Sequence, residues 1–284
     1  NYMIDCKIKG YQGEFILMEC GAGLGQFAFL FLSSLSALLD GTNIDPRSFK
    51  YVLCDYSEKT ISFWRQQPQL APFFANGMLC ASQLHIDEEL TIHSSYDTES
   101  LINKRVILLS NYCFDSLYQS PFILEDSRFV PCRIIQKSSI LSSSSLKLQF
   151  KPVSDASPPY SDCDVYNSII DSHLQHGAQY TLMPDGPIAL IQWLDRQTAH
   201  PLLIICSDKG FTGFKNGHYG ECFNIVNTGA FASCVNFFAL KSYVEHALNG
   251  SGLLAPEEYM SFSTNILLTK DTLKEYPALS CEAI

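Results

Sequence analysis

The stretch that most constrains this chain is Phe15-Ile16-Leu17-Met18-Glu19-Cys20-Gly21-Ala22-Gly23-Leu24-Gly25-Gln26. A short apolar run ends in an acid, three glycines follow at alternate positions, and an apolar segment runs on from Phe27 to Leu39. The pattern reads as a buried strand, a tight turn and a helix. Alternate glycines let the backbone turn sharply and let a ligand approach without Cβ interference. The helix that follows presents unpaired N–H groups and the positive end of its dipole. Such a turn suits a nucleotide-like or carboxylate-bearing ligand; the plain alternative is a glycine-rich strand–helix turn with no ligand.

The spacing narrows the choice. A dinucleotide fingerprint places a third glycine at position 26, where this chain has Gln26. No Gly-Lys-Ser/Thr follows, so the turn is not a phosphate-binding Walker loop either. What remains is acid-x-G-x-G-x-G from Glu19 to Gly25, which resembles the first motif of class I S-adenosylmethionine (SAM) dependent methyltransferases.

Composition bounds the partners. A length of 284 residues accommodates one large α/β domain or a domain with an insertion. A net charge of −10 argues against a nucleic-acid backbone as the main partner. The eleven cysteines are scattered, without a C-x-x-C, and Cys20, Cys54, Cys113 and Cys206 sit inside apolar runs. They read as small buried hydrophobes of a reducing, cytoplasmic compartment rather than a disulfide framework or a zinc site. No apolar run reaches bilayer length, and no signal peptide is evident, so a membrane partner is not expected. The chain opens at Asn1 without Met, which suggests a piece of a longer protein.

A second strand, Phe49 to Cys54, closes in Asp55. In doubly wound folds a carboxylate there accepts the ribose hydroxyls of the ligand. Asp55 lies further from the glycines than the usual 20 or so residues, an excess the loop at 40–48 absorbs. The plainer alternative for Asp55, compatible with the ribose role that the pattern favours, is to cap a helix beginning at Ser57-Glu58-Lys59. Residues 61–74 read as helical with breaks at Pro68 and Pro72, residues 77–80 as a short third strand, and 84–100 as a solvated loop or helix. A fourth strand, Arg105 to Ser110, runs into Asn111-Tyr112-Cys113-Phe114-Asp115, where a methyl acceptor would meet the cofactor. Residues 122–150 alternate as hairpins, with a serine run at 142–145 as a loop tip. A Pro/Ser linker follows at 154–160, then a helical stretch at 164–199 with Asp185 as a cap. His173 and His176 form an H-x-x-H that reads as helix surface rather than a metal site. The fifth strand spans 201–206, a lid-like Gly/aromatic segment 211–222, and a final strand 260–268. The expected division is a SAM-binding half at 1–121, an insertion at 122–199, the second half of the sheet at 200–270 and a tail at 271–284.

Taken together, the glycine motif, Asp55, Asn111–Asp115, Ser207–Gly210 and Val235-Asn236-Phe237 resemble the MidA family of SAM-dependent methyltransferases. The closer likeness is to a bacterial branch often fused to tetratricopeptide repeats, and it covers about residues 14–265. The resemblance implies a Rossmann-like seven-stranded sheet with an inserted β-hairpin and helical subdomain, and SAM as cofactor. It implies contacts to SAM from Glu19, Gly21, Ala22, Gly23, Gly25, Asp55, Tyr56 and Asn111. The family's motif after the fourth strand reads Asn-Glu-x-x-Asp; Asn111 and Asp115 match, while Tyr112 replaces the acid. Paired carboxylates favour a guanidinium acceptor, so Tyr112 weighs against arginine as the target. Cys80 falls where many relatives place an acid beside the adenine.

Methyl transfer from a sulfonium needs alignment and desolvation more than bond-making groups from the protein. A nitrogen or oxygen acceptor also needs an orienting group or proton acceptor. Asn111 and Asp115 are the candidates, with Asp208 and Asn236 behind them; each is also a common turn or helix cap. Three functions stay open: a methyltransferase acting on a protein side chain, one acting on a small molecule, and a binding scaffold that keeps the fold and engages a protein partner through the insertion or a missing repeat domain.

Overall fold

A computed structural model describes residues 1–39, 45, 48–136, 148–153, 163–213, 223–225, 231–256 and 262–280. Most of the loop expected at 40–48, the serine run at 142–145, the linker at 154–160 and most of the expected lid lie outside these described residues. In chain order the elements are α1 (Tyr2–Ile8), β1 (Phe15–Cys20), α2 (Gln26–Leu39), β2 (Phe49–Asp55), α3 (Glu58–Gln66), α4 (Ala71–Ala75), β3 (Leu79–Ile86), β4 (Ile92–Ser94) and β5 (Arg105–Asn111). They continue with β6 (Ser120–Glu125), β7 (Arg128–Gln136), β8 (Leu148–Pro152), α5 (Asp164–Gln175), β9 (Tyr180–Met183), α6 (Asp185–Gln197) and β10 (Leu203–Phe211). Last come β11 (Phe223–Ile225), β12 (Phe231–Ser233), β13 (Val235–Asn236), α7 (Phe237–Ala247), β14 (Ser251–Leu253), β15 (Phe262–Leu268) and α8 (Pro277–Ser280).

The main sheet runs β14-β15-β10-β5-β1-β2-β3-β4, with β13 pairing on the extension of β10. Strands β10, β5, β1, β2 and β3 are mutually parallel, and β15 enters antiparallel beside β10. The fold is therefore the α/β class expected, a mostly parallel sheet with helices on both faces. All six residues of β1 are buried, as a strand covered on both sides must be. One face carries Phe15, Leu17, Tyr51 and Leu53 against α1, α2 and α3; the other carries Ile16, Met18, Val52 and Leu108 against α5, α6 and α7. Strand order reverses at the β1/β5 junction, where open α/β sheets bind ligands beyond the carboxyl ends of their strands.

Five expectations need correction. The sheet exceeds seven strands because β3 runs on to Ile86 and folds back into β4, with His85 opposite His93, where a solvated loop or helix was expected. Asp87 fixes that hairpin turn by accepting the Glu89 and Thr91 N–H groups. The stretch 164–199 is not continuously helical: β9 interrupts it and joins the separate sheet β8-β7-β6-β9 between β5 and β10. Asp185 is the first residue of α6 rather than its cap, and its carboxylate accepts the Ser120 N–H. Finally, β10 does not stop at Cys206 but continues to Phe211, rising above the end of β5 as a wall. No helix among the described residues is long and apolar enough to cross a membrane.

Candidate functional site

The glycine turn sits at the carboxyl end of β1. Gly21, Gly23 and Gly25 all adopt left-handed backbone, with φ of +70°, +54° and +74°. The Gly21 N–H donates to the Cys54 carbonyl at 3.0 Å, which ties the turn to β2. The Gly25 N–H closes on the Ala22 carbonyl at 2.9 Å, and the Gly25 carbonyl accepts Phe29 N–H, launching α2. Ala22 is buried, whereas Gly21 and Gly23 are exposed. A Cβ on Gly23 would meet nothing within 4 Å, so the backbone there faces open space, the surface a ligand needs. A Cβ on Gly25 would press on Leu70 at 3.1 Å and Trp64 at 3.2 Å.

Trp64 is the residue sequence reading missed. Fully buried on α3, it donates its indole N–H to the Gly23 carbonyl at 2.9 Å and floors the turn. The only sequence signal was an aromatic in an amphipathic helix, which by itself says core.

Asp55 ends β2 one residue beyond the Cys20–Cys54 pair, beside the turn and on the same face of the sheet as Glu19. One oxygen, Oδ1, accepts the Ser57 N–H at 2.9 Å; the other makes no hydrogen bond among the described residues. Ser57, not Asp55, caps α3, with its hydroxyl accepting the Thr60 N–H. Asp55 is thus half-buried, anchored on one side and open on the other. Tyr56 is exposed, and its carbonyl accepts from the Gln83 side chain. Cys80 lies opposite Val52, three registers below the Asp55–Gln83 pair, so it is inside the sheet and Gln83 holds the rim position. Glu19 is buried and accepts the Tyr51 hydroxyl at 2.7 Å. Burial pushes its carboxyl up to about 7, against the lowering effect of that hydrogen bond.

Beyond β5 the chain turns sharply. Asn111 is exposed, and Tyr112 has φ of +52°, an outlier for a bulky residue that costs of order 1–3 kcal/mol. The turn is held because the Tyr112 N–H donates to the Ser207 carbonyl at 2.9 Å. Cys113 packs against Gly21, where a Cβ would meet its Sγ at 3.1 Å. Asp115 is half-buried; its Oδ1 accepts the Ser116 hydroxyl. Asp208, only 1% exposed, accepts the Asp115 N–H on Oδ2 and the Lys209 N–H on Oδ1. Its carboxyl is pushed up to about 6, first by burial and then by the neighbouring Asp115. Asp208 therefore holds the Asp115 turn in place. Ser233 braces the same turn, donating to the Asp115 carbonyl and accepting from Gln119.

Asn236 stands further off. It caps α7 through the Ala239 N–H and donates to the Leu182 carbonyl. His173, expected on a helix surface, is fully buried beside it. Its Nδ1 bonds the Ile169 carbonyl at 2.7 Å, so that nitrogen carries the proton and Nε2 accepts from the Asn236 amide at 2.9 Å. Burial lowers the imidazole to about 4. This pair locks α5 to α7. The structure thus gathers the glycine turn, Asp55, Asn111 and Asp115 along one rim and leaves Asp208 beneath it and Asn236 outside it.

No protein-family model and no curated protein sequence matches the chain. Solved structures do. One is a COG1565 superfamily member from Burkholderia thailandensis bound to S-adenosyl-homocysteine, with a TM-score of 0.54 and 16% identity, covering 89% of this chain and 59% of that one. Another is a COG1565 superfamily protein from the same organism, with a TM-score of 0.56 and 14% identity, covering 95% of this chain and 76% of that one. The chain spans about three fifths of the first neighbour's length. It shares the fold of these proteins, the α/β architecture that the glycine motif and strand order indicate.

Proposed function

We propose that the chain is a SAM-dependent methyltransferase that acts on a protein side chain. The observation that carries this reading is the juxtaposition of a left-handed glycine turn, open above Gly23, with a half-open carboxylate, Asp55, at the end of the adjacent strand. A fold shared with a protein bound to S-adenosyl-homocysteine supports it. The residues fit the cofactor: Gly21, Ala22 and Gly23 would accommodate its amino-acid end, Asp55 its ribose hydroxyls, and Gly25 and Trp64 would keep the turn in shape. In this reading Tyr56 and Asn111, both exposed, border the same space, and Glu19 lies buried beneath it, bonded to Tyr51. When bound, SAM supplies a methyl group already attached to a good leaving group.

The chain's own part is then alignment. Asn111 and Asp115 orient the nucleophile at the end of β5, and Asp115 takes its proton. Asp208 acts as a positioning residue, fixing the backbone from which Asp115 projects. The sheet β8-β7-β6-β9 stands on the far side of β5 from α2 and is the surface this reading assigns to a protein partner. A bacterial, cytoplasmic setting belongs to the same reading. Transfer to a small molecule is the second reading, favoured by the exposure of Tyr112 where an acid would serve a cationic side chain. Calorimetric titration of the chain with SAM tests the proposal: binding that Asp55→Ala weakens supports it, and no heat at millimolar SAM overturns it. Labelled methyl transfer into macromolecules, as against small metabolites, separates the two readings.

A further inference from the structure

One group at the rim is not among the residues assigned to the cofactor. Tyr112 and Phe262 stack with ring centroids 4.8 Å apart and an interplanar angle of 26°, yet they remain 55% and 46% exposed. Register fixes their surroundings. Ile107, Leu109, Leu203 and Leu268 face the α1–α3 layer, and by alternation so do Asn111, Ser207, Lys209, Thr264 and Phe262 higher up the same strands. Asn111, Lys209, Thr264 and Phe262 are exposed, so this part of the sheet face forms an open shelf at the end of the sheet where β5 meets the glycine turn. The Ser207 and Thr264 hydroxyls bond each other at 2.8 Å. The one carboxylate in the described parts of β5, β10 and β15, Asp208, alternates to the opposite face, where it accepts the Asp115 backbone N–H. The shelf therefore offers a flat aromatic face, a carboxamide, two hydroxyls and one ammonium group, and no anion from these strands.

We infer that this shelf seats a flat, uncharged ring carried by the methyl acceptor, lying on the Tyr112–Phe262 pair with its polar edge toward Asn111. The inference rests on the methyltransferase reading and deepens it. An offset stack on a preformed aromatic pair adds to the area it buries. Tyr112 is held in its left-handed conformation by the bond to the Ser207 carbonyl, so the ring is presented rather than free to turn. A guanidinium is disfavoured, because Lys209, paired in register with Phe262, repels it, and Asp115 alone does not give it the paired carboxylates that favour it. The ring has two sources, a side chain such as neutral imidazole in a protein or a free aromatic compound.

Saturation-transfer NMR on the whole chain at pH 8, with and without S-adenosyl-homocysteine, tests this with three probes: catechol, a glycine peptide centred on histidine, and the same peptide centred on arginine. At least one ring probe saturates while the arginine peptide does not; tighter binding of the histidine peptide assigns the ring to a protein, and catechol alone to a free compound. Tyr112→Ala and Phe262→Ala each weaken the ring probe about tenfold, Tyr112→Phe restores it, and calorimetric affinity for S-adenosyl-homocysteine stays unchanged. Silence from both ring probes, preference for the arginine peptide, or indifference to Tyr112→Ala overturns the inference and leaves the cofactor reading standing. Ring binding without any S-adenosyl-homocysteine binding does the reverse.

Discussion

The two ends of β5 solve opposite problems. At its start, Arg105 is buried, and its guanidinium donates to the Tyr2 and Tyr276 hydroxyls at 3.0 and 3.2 Å and lies over the Tyr11 ring at 5.0 Å. The Tyr11 hydroxyl accepts the Arg105 N–H and donates to the Glu14 carbonyl. Tyr276 passes the charge on to Asp271 at 2.9 Å, which also meets Lys9. Burial pushes the Tyr2 hydroxyl far up, so it stays neutral, and the cation is held by hydroxyls and ring faces without a direct carboxylate among the described residues. At the other end, Asn111 and Tyr112 are exposed, the backbone is strained, and glycine replaces side chains. The same strand thus spends its first residue tying both chain ends to the sheet and its last residues on a surface left open. Stability and function are separable here, and each substitution below should move one and spare the other.

The largest effect belongs to the closed end. Arg105→Met removes the charged donor that the Tyr2 and Tyr276 hydroxyls now accept from, and should cost about 3 kcal/mol in urea denaturation while leaving SAM affinity unchanged. The mirror experiment is Asp55→Ala. Losing a charge-assisted contact to the ribose should weaken SAM about thirtyfold, close to 2 kcal/mol, with little change in the melting temperature of the free chain, since Ser57 still caps α3. A comparable loss of stability and affinity in either variant would dissolve the distinction between the ends.

The open end was far more legible in the sequence than the closed one. Glycines at alternate positions and an acid after a β-run are local signals, because backbone chirality and strand ends act over a few residues. Phe49–Asp55 and Arg105–Asn111 were readable for the same reason. The Arg105 cluster draws on positions 2, 11, 105 and 276, and nothing local marks them as neighbours. Trp64 was seen as helix and not as the floor of the turn. The hairpin at 84–94 was missed because its pattern is polar on the exposed side, and β9 because a four-residue strand between two helices carries no period. Asp208 was found by position, but its role changed with depth: a carboxylate at 1% exposure with two backbone donors positions a turn.

Titration sharpens the comparison, since the rim carries buried acids. Glu19 binds its proton more tightly folded, at about 7 against an ordinary 4.5, so its contribution to stability falls as pH rises through that window. Asp208 acts in the same direction between 3.8 and about 6. His173, lowered from 6.5 to about 4, acts oppositely, and its contribution is lost as pH falls through its window. The opposition keeps the parent profile shallow. Glu19→Gln keeps an acceptor for Tyr51 and removes one of the falling contributions, so stability should climb more steeply than the parent's from pH 5 to 6.5, by at most about 1.4 kcal/mol per pH unit. Urea midpoints at pH 5, 6 and 7 measure it; parallel profiles would mean that Glu19 does not titrate there.

The smallest effect is the most discriminating, because two glycines in one turn face different surroundings. Gly23→Ala meets no neighbour, so its cost to folding is that of a left-handed alanine alone, about 1 kcal/mol. Gly25→Ala carries the same backbone cost and also presses a methyl on Leu70 and the Trp64 ring, both packed and unable to yield, so it should be the less stable of the two. For ligand affinity the order reverses. The space above Gly23 is where a cofactor would lie, so its new methyl should weaken SAM binding by more than it weakens the fold, whereas Gly25→Ala should lose affinity only in step with stability. Paired calorimetry and thermal melts on the two variants decide whether that open space is a binding surface: if Gly23→Ala binds SAM as the parent does, the turn holds its shape for the sheet and the ligand sits elsewhere.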